Sequence, residues 1–295
     1  MIISASYRTD IPAFYGSWFE YRFRAGWAMV ANPYGGRPSR VPLREGVDGY
    51  VFWTRNIEPF LPALALVRDG DLPFIVHYTV TNYPRQLEAS VIPADRSLGL
   101  IRRLAGDYGG RAAVWRYDPI VITELTPPGW HLDNFTGLAA GLAGAVDEVV
   151  VSFAQIYRKT ARNLAAAAKS HHFAWRDPSL EEKGRLLARL ATIARAHGMR
   201  LTLCTQPDLV TGNIEAARCI DPARLSDLAG RVLASRLKGN RPGCFCAESR
   251  DIGDYDSCPH GCAYCYAVNS RRLAKQRFRN HDPAGEFLAF PPPGP

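Results

Sequence analysis

The chain has 295 residues, of which 47% are apolar, with a net charge of +8 and seven cysteines. That length and apolar content exclude wholesale disorder and suit one large α/β domain or two smaller ones. No apolar run reaches the roughly 18 residues of a membrane span, so no membrane partner is expected.

Taken in chain order, the opening MIISASYRTD lacks a basic leader and a small-residue cleavage pattern, and is predicted to be a first strand rather than a signal peptide. With an odd cysteine count, this points to free thiols in a reducing cytoplasm and away from a disulfide framework. Runs rich in β-branched and aromatic residues predict strands at 1–6, 27–31, 49–53, 74–80, 112–116, 148–153 and 199–204. Helix-like segments lie between most of them. Residues 138–146 fit a buried helix, and 180–197 give the clearest case. There Ser179 and Glu182 have capping-box spacing, Leu186, Leu187, Leu190 and Ile193 share a face, and Gly198 can end the helix. Residues 82–97 and 170–179, which include His171 and His172, read as loops. Residues 235–257 read as an irregular segment ordered by metal, and 291–295 as a frayed tail.

Repeated strand–helix alternation implies a parallel sheet with crossover helices. The fold class expected is α/β: a (β/α) barrel or partial barrel over residues 1–234. A cysteine-rich, metal-binding segment, 235–295, would pack on its mouth. Polar residues gather where the strands end, and a barrel builds its active site there. Arg8 and Asp10 follow the first strand, Asn32 the second, Arg55 the third, and Arg116, Tyr117 and Asp118 the fifth, while Cys204 ends the seventh. Arg116 is a candidate grip for a carboxylate or phosphate and Asp118 a candidate proton acceptor. Arg8, Asp10, Tyr117 and Cys204 complete the candidate catalytic set. Asn32, Arg55, His260 and Tyr264 are candidate cofactor contacts. Trp53 and Trp115 read as core.

The sharpest motif is Cys258-Pro-His-Gly-Cys262-Ala-Tyr-Cys265. Three thiolates on one tight loop can each take a different iron of a [4Fe–4S] cubane and leave one iron open. Gly261 lets the backbone fold beside the cluster, and Tyr264 can shield it. Zinc is the alternative, but zinc sites favour paired C-x2-C units. Cys244 and Cys246 are read as further metal or redox ligands, Cys204 as an additional ligand or hydrogen-atom donor, and Cys219 as a small buried hydrophobe. The basic run Arg271, Arg272, Lys275, Arg277 and Arg279 is either a solvated helix face or a docking surface for an anion such as nucleic acid.

The three-cysteine loop, with an aromatic residue before its last cysteine, resembles that of radical S-adenosylmethionine (SAM) enzymes. The resemblance implies a [4Fe–4S] cluster whose open iron takes SAM, which one electron cleaves to a radical. Cys-x3-Cys-x-Tyr-Cys-Tyr is also similar to the cluster loop of spore photoproduct lyases. A wider set, ISAS-x-RTDIPAFYG, VFWTRN, WRYDPI and the terminal cysteine cluster, resembles a bacterial family of unknown function, the domain of unknown function 1848. In radical-SAM enzymes the loop follows the first barrel strand. Here it comes near the end, so a SAM site would use the upstream strands in a permuted arrangement.

These readings converge on an iron–sulfur enzyme acting by redox or radical chemistry on an anionic small molecule or nucleotide. A ferredoxin or flavodoxin would supply electrons. The alternatives are a SAM-independent [4Fe–4S] oxidoreductase, with one-carbon carriers such as folates as candidate substrates; a nucleic-acid repair or modification protein; and a zinc-stabilised binding module.

Overall fold

A computed structural model describes every residue except 33, 34, 36, 213 and 290–295; the tail predicted at 291–295 lies outside the described residues. The strands are β1 (Ile2–Ala5), β2 (Trp27–Val30), β3 (Ser39–Pro42), β4 (Gly49–Thr54), β5 (Phe74–Thr79), β6 (Ala113–Ile120), β7 (Ile122–Thr123), β8 (Glu148–Phe153), β9 (Trp175–Arg176), β10 (Arg200–Leu203), β11 (Glu215–Ala216) and β12 (Ser249–Asp251). The helices are α1 (Ile11–Phe14), α2 (Gly16–Ala25), α3 (Leu61–Asp69), α4 (Ala94–Tyr108), α5 (Pro128–Leu142), α6 (Arg158–His171), α7 (Leu180–Ala196), α8 (Pro222–Ala229) and α9 (Arg271–Arg279).

Eight strands form one parallel sheet in the order β12-β1-β4-β5-β6-β8-β10-β11. Seven neighbours follow chain order, and the last strand returns to pair with the first. A doubly wound sheet would instead reverse its order at a switch point. No ladder joins the edge strands β11 and β12 among the described residues. One backbone hydrogen bond, Ala247 N to Ile220 O at 3.0 Å, links the segments beside them. No helix among the described residues is long and apolar enough to cross a membrane.

Period-two alternation divides the strand side chains between two cores. Ile3, Phe52, Val76, Trp115, Val149 and Leu201 face helices and pack with Phe19, Leu64, Leu104, Phe135 and Leu187. Ile2, Val51, Ile75, Val114 and Val150 face the other way, with Leu225 of α8, Cys204, Cys219 and Cys246. At the N-terminal end of this second face Arg224 is fully buried. Its Nη1 and Nη2 reach Asp147 at 2.8 Å and Glu148 at 2.7 Å, closing that end with charge pairs.

The sequence-expected helix over 180–197 is α7. Ser179 and Glu182 form its capping box, and Gly198 takes φ +74° after it. Two expectations need correction. The run at 27–31 is a strand, but β2 pairs antiparallel with β3 in a separate two-stranded sheet, so it is not a barrel strand. The expected irregular stretch 235–257 contains β12, which extends the main sheet. Smaller differences lie in the loops: α4 begins at Ala94, and the pair β7–β9 crosses the stretch 170–179.

Helix α5 carries a buried histidine, His131, whose ring nitrogens meet Tyr117 OH at 2.8 Å and Val121 O at 3.1 Å. Burial lowers its pKa from 6.5 to about 4. The unfolded chain therefore takes up a proton that the folded chain refuses between those two values. Stability held above pH 6.5 is lost as pH falls towards 4, by about 3 kcal/mol from this group. Urea unfolding of the parent chain and of His131→Gln across that window is expected to show the flatter pH dependence in the variant.

Candidate metal centre

The cysteine loop is fixed from several sides. Ala263 N donates to Leu87 O at 2.9 Å and Ser90 N to His260 O at 3.0 Å, so the 87–90 segment lies along it. Tyr15 OH donates to Ser257 O at 2.6 Å. Behind the last cysteine, Asn163 Nδ2 donates to Val268 O at 3.0 Å and Arg162 Nη2 to Asn269 O at 2.8 Å, so α6 braces the exit. Gly261 sits at φ +76°, and a Cβ there would lie 2.4 Å from Arg271 Nε. Glycine is favoured there by the left-handed backbone and by the close approach of Arg271.

Cys258, Cys262 and Cys265 are partly buried and lie within electrostatic reach of one another. Burial raises all three thiol pKa values, Cys262 to about 12, and Asp10 adds to the rise at Cys258. Among the described residues no three Cys, His, Asp or Glu side chains are placed to hold a single metal ion. A cubane makes a different demand: each thiolate takes a separate iron, so the sulfurs need not converge on one point. Three thiols on one braced loop form a donor set that fits such a cluster.

Around the loop runs a connected polar network. His260 Nε2 meets Asp10 Oδ2 at 2.8 Å, and the same carboxylate oxygen accepts from Arg55 N at 2.8 Å. Arg55 Nη1 donates to Glu88 Oε1 at 2.7 Å, and its Nη2 to Tyr264 OH at 2.6 Å. Tyr264 OH and Thr81 Oγ1 both donate to Glu88. Thus Asp10, Arg55, His260 and Tyr264, expected from sequence, meet at the loop. Glu88 was missed because it lies in a loop without a motif. Tyr264→Phe leaves Arg55 and Glu88 each short of a partner and should lower stability by about 2 kcal/mol, measured by denaturant unfolding.

Arg8 belongs to a second network. Asp251, on β12, accepts from Ser4 Oγ at 2.9 Å, Ser6 Oγ at 2.7 Å, Tyr7 N at 3.1 Å, Arg8 Nε at 2.8 Å and Gly253 N at 2.9 Å. Arg8 Nη1 is buried and has no hydrogen-bond partner among the described residues.

The remaining cysteines gather elsewhere. Cys204 and Cys219 sulfurs lie 3.8 Å apart, and Cys246 shares their buried cluster with Cys244 packed against it. Cys219 is thus buried, as expected, but in company with three thiols. The contact with Cys219, and then burial, raises the Cys204 thiol, whereas the bond from Cys246 lowers Cys244 to about 6. Arg116 pairs with Asp118, places Nη1 3.1 Å from Cys219 Sγ, and lies over the Trp53 ring at 5.0 Å. Trp53 stacks on His77, whose imidazole is held neutral by burial and then by the Arg116 charge.

Two sequence candidates do not join either group. Tyr117 points to the helix-facing core, bonded to His131 and Asn134, because alternation sends it opposite to Arg116 and Asp118. Asn32 is exposed beyond β2, outside the parallel sheet. In α9, two of the five basic residues bond segments that flank the cysteine loop: Arg271 bonds Ser90 at 2.6 Å and Arg277 bonds Tyr255 O at 2.8 Å.

The family described as Domain of unknown function (DUF1848) matches residues 2–267. No curated protein and no solved structure matches the chain.

Proposed function

The chain belongs to the DUF1848 family, and on that premise we propose that it is an iron–sulfur enzyme with a radical-SAM-like centre, acting on an anionic substrate. Cys258, Cys262 and Cys265 would hold a [4Fe–4S] cluster over the C-terminal ends of a sheet that works as a partial barrel. The observation that carries this reading is the partition of the cysteines. Three share one braced loop, while the other four gather in a separate cluster on the opposite core. A cluster on the loop would thus lack a fourth protein thiolate, which favours an open iron over a four-cysteine electron-transfer site. When bound, the cluster supplies one-electron reduction and, with SAM on its open iron, a route to radical chemistry.

The chain's own groups divide the remaining work. Arg8 offers its buried Nη1, which has no hydrogen-bond partner among the described residues, as a donor for a carboxylate or phosphate. Asp10 and His260 orient the loop, and Arg55, Glu88 and Tyr264 keep water from its inner side. Electrons would come from a small carrier such as a ferredoxin or flavodoxin. The test is anaerobic reconstitution with iron and sulfide, followed by dithionite and SAM. Formation of 5′-deoxyadenosine supports the reading; a reduced cluster that leaves SAM intact and shows no SAM-induced change in its EPR signal counts against it.

A further inference from the structure

We propose that the outer faces of α6 and α9 form a docking surface for a small acidic one-electron carrier protein. The purpose of the surface rests on the iron–sulfur reading above; the docking itself is measurable without a cluster.

The charge of the chain is unevenly placed. Helices α6 and α9 carry nine of its 36 Lys and Arg and no Asp or Glu. The other residues hold 27 basic side chains against 28 acidic ones, so the positive excess of the chain resides on these two helices. On α6, Arg158, Arg162 and Lys169 are exposed and lie opposite the buried Thr160 and Leu164. On α9, Arg272, Lys275 and Arg279 recur at i, i+3 and i+7, exposed and opposite the buried Ala274. None of the six pairs with a carboxylate among the described residues.

An ordinary solvated helix face of this protein is built otherwise. On α7, Arg185 pairs with Glu181, Glu182 with Arg176, and Lys183 with Asp177. Like charges three and four residues apart repel within a helix, a cost that an anionic partner removes.

The position points to an electron carrier. Both helices bond segments that flank the cysteine loop. Arg162 Nη2 donates to Asn269 O at 2.8 Å, in the link between the loop and α9, and Arg271 Nη2 to Ser90 Oγ at 2.6 Å. Phe278, beside the α9 row and 37% exposed, packs on Phe14 with 5.5 Å between ring centroids. Phe14 in turn packs on His260 of the loop at 4.6 Å. Two ring contacts thus lead from the charged surface to the loop. An aromatic contact within a charged rim is the make-up of a protein interface, and electron-transfer complexes are small, weak and steered by charge. Nucleic acid fits less well. Single strands stack their bases on open aromatic faces. Phe278 is packed against both Phe14 and Tyr15, and Tyr266 is tied by its hydroxyl to Tyr7 O at 2.6 Å. In the docked pair the reduced carrier would lose one electron and the cluster gain it, with no bond made or broken.

The test is run on the parent chain and on Cys258→Ala/Cys262→Ala/Cys265→Ala, so that a failed cluster assignment and a failed docking surface are told apart. An acidic flavodoxin and an acidic [2Fe–2S] ferredoxin are titrated calorimetrically at about 20 mM salt. At least one is expected to bind both chains, with affinity falling at least about tenfold at about 200 mM salt. Arg272→Glu/Lys275→Glu/Arg279→Glu on α9, and Arg158→Glu/Lys169→Glu on α6, should each weaken binding at least about tenfold with unchanged circular dichroism. Arg185→Glu/Arg189→Glu/Arg195→Glu on α7 changes the net charge as much as the α9 variant and should alter binding less than about twofold. A single-stranded DNA oligonucleotide is titrated alongside. Binding of neither carrier, equal losses in the α7 and α9 variants, or tighter binding of the oligonucleotide than of both carriers overturns the proposal.

Discussion

Replacing Cys258, Cys262 and Cys265 with alanine is expected to remove acid-labile sulfide completely and to bleach the brown colour of the anaerobically purified chain. The loop itself should survive, because its bracing comes from Leu87, Ser90, Tyr15, Asn163 and Arg162 and not from the sulfurs. Single replacements should differ in degree. Cys262 lies beside the Arg55–Glu88–Tyr264 network, so Cys262→Ala leaves an enclosed position that water or a neighbouring group fills poorly. Sulfide per chain is expected to fall by more than half in each single variant and to background in the triple. Circular dichroism close to that of the parent chain would separate cluster loss from unfolding.

Asp251→Ala is expected to be among the most destabilising single changes, at about 3–5 kcal/mol. Its carboxylate is buried and neutralises Arg8 while accepting from two serine hydroxyls and two backbone amides. Removing it strands a buried guanidinium and four further donors, each with its own desolvation penalty. Asp251→Asn keeps the shape but not the charge and should lose less. The damage should reach the candidate site as well, since β12 leads directly into the cysteine loop. Urea unfolding of the two variants tests the order; equal stability of Asp251→Ala and the parent chain would rule out this role.

Apolar periodicity made most of the sheet legible before any coordinates. The seven expected strand runs are all strands, because a parallel strand covered on both faces reads as a dense β-branched and aromatic run. Only the one at 27–31 lies outside the main sheet, since nothing in its composition tells a hairpin strand from a sheet strand. The two short edge strands were invisible: Glu215–Ala216 and Ser249–Asp251 are too brief and too polar to show a pattern. Site residues followed the same logic. Arg8, Asp10, Arg55 and Arg116 were found from their place at strand ends. Tyr117 was grouped with them by adjacency alone, whereas period-two alternation sends it to the opposite face. Glu88 carries no motif, and the full role of Asp251 emerges only from Ser4, Ser6 and Arg8, partners distant in sequence. Cys219 looked like packing because its thiol neighbour Cys204 comes from another segment.

The most direct measurement is acid-labile sulfide, with iron, on the anaerobically purified chain and its triple loop variant. Sulfide reports a cluster alone, since a mononuclear thiolate site contains none. The account predicts four sulfides per chain in the parent, an EPR signal of a reduced cubane after dithionite, and neither in the variant. A parent chain free of sulfide after reconstitution, or a variant that keeps it, would contradict the assignment of Cys258, Cys262 and Cys265 as the cluster ligands.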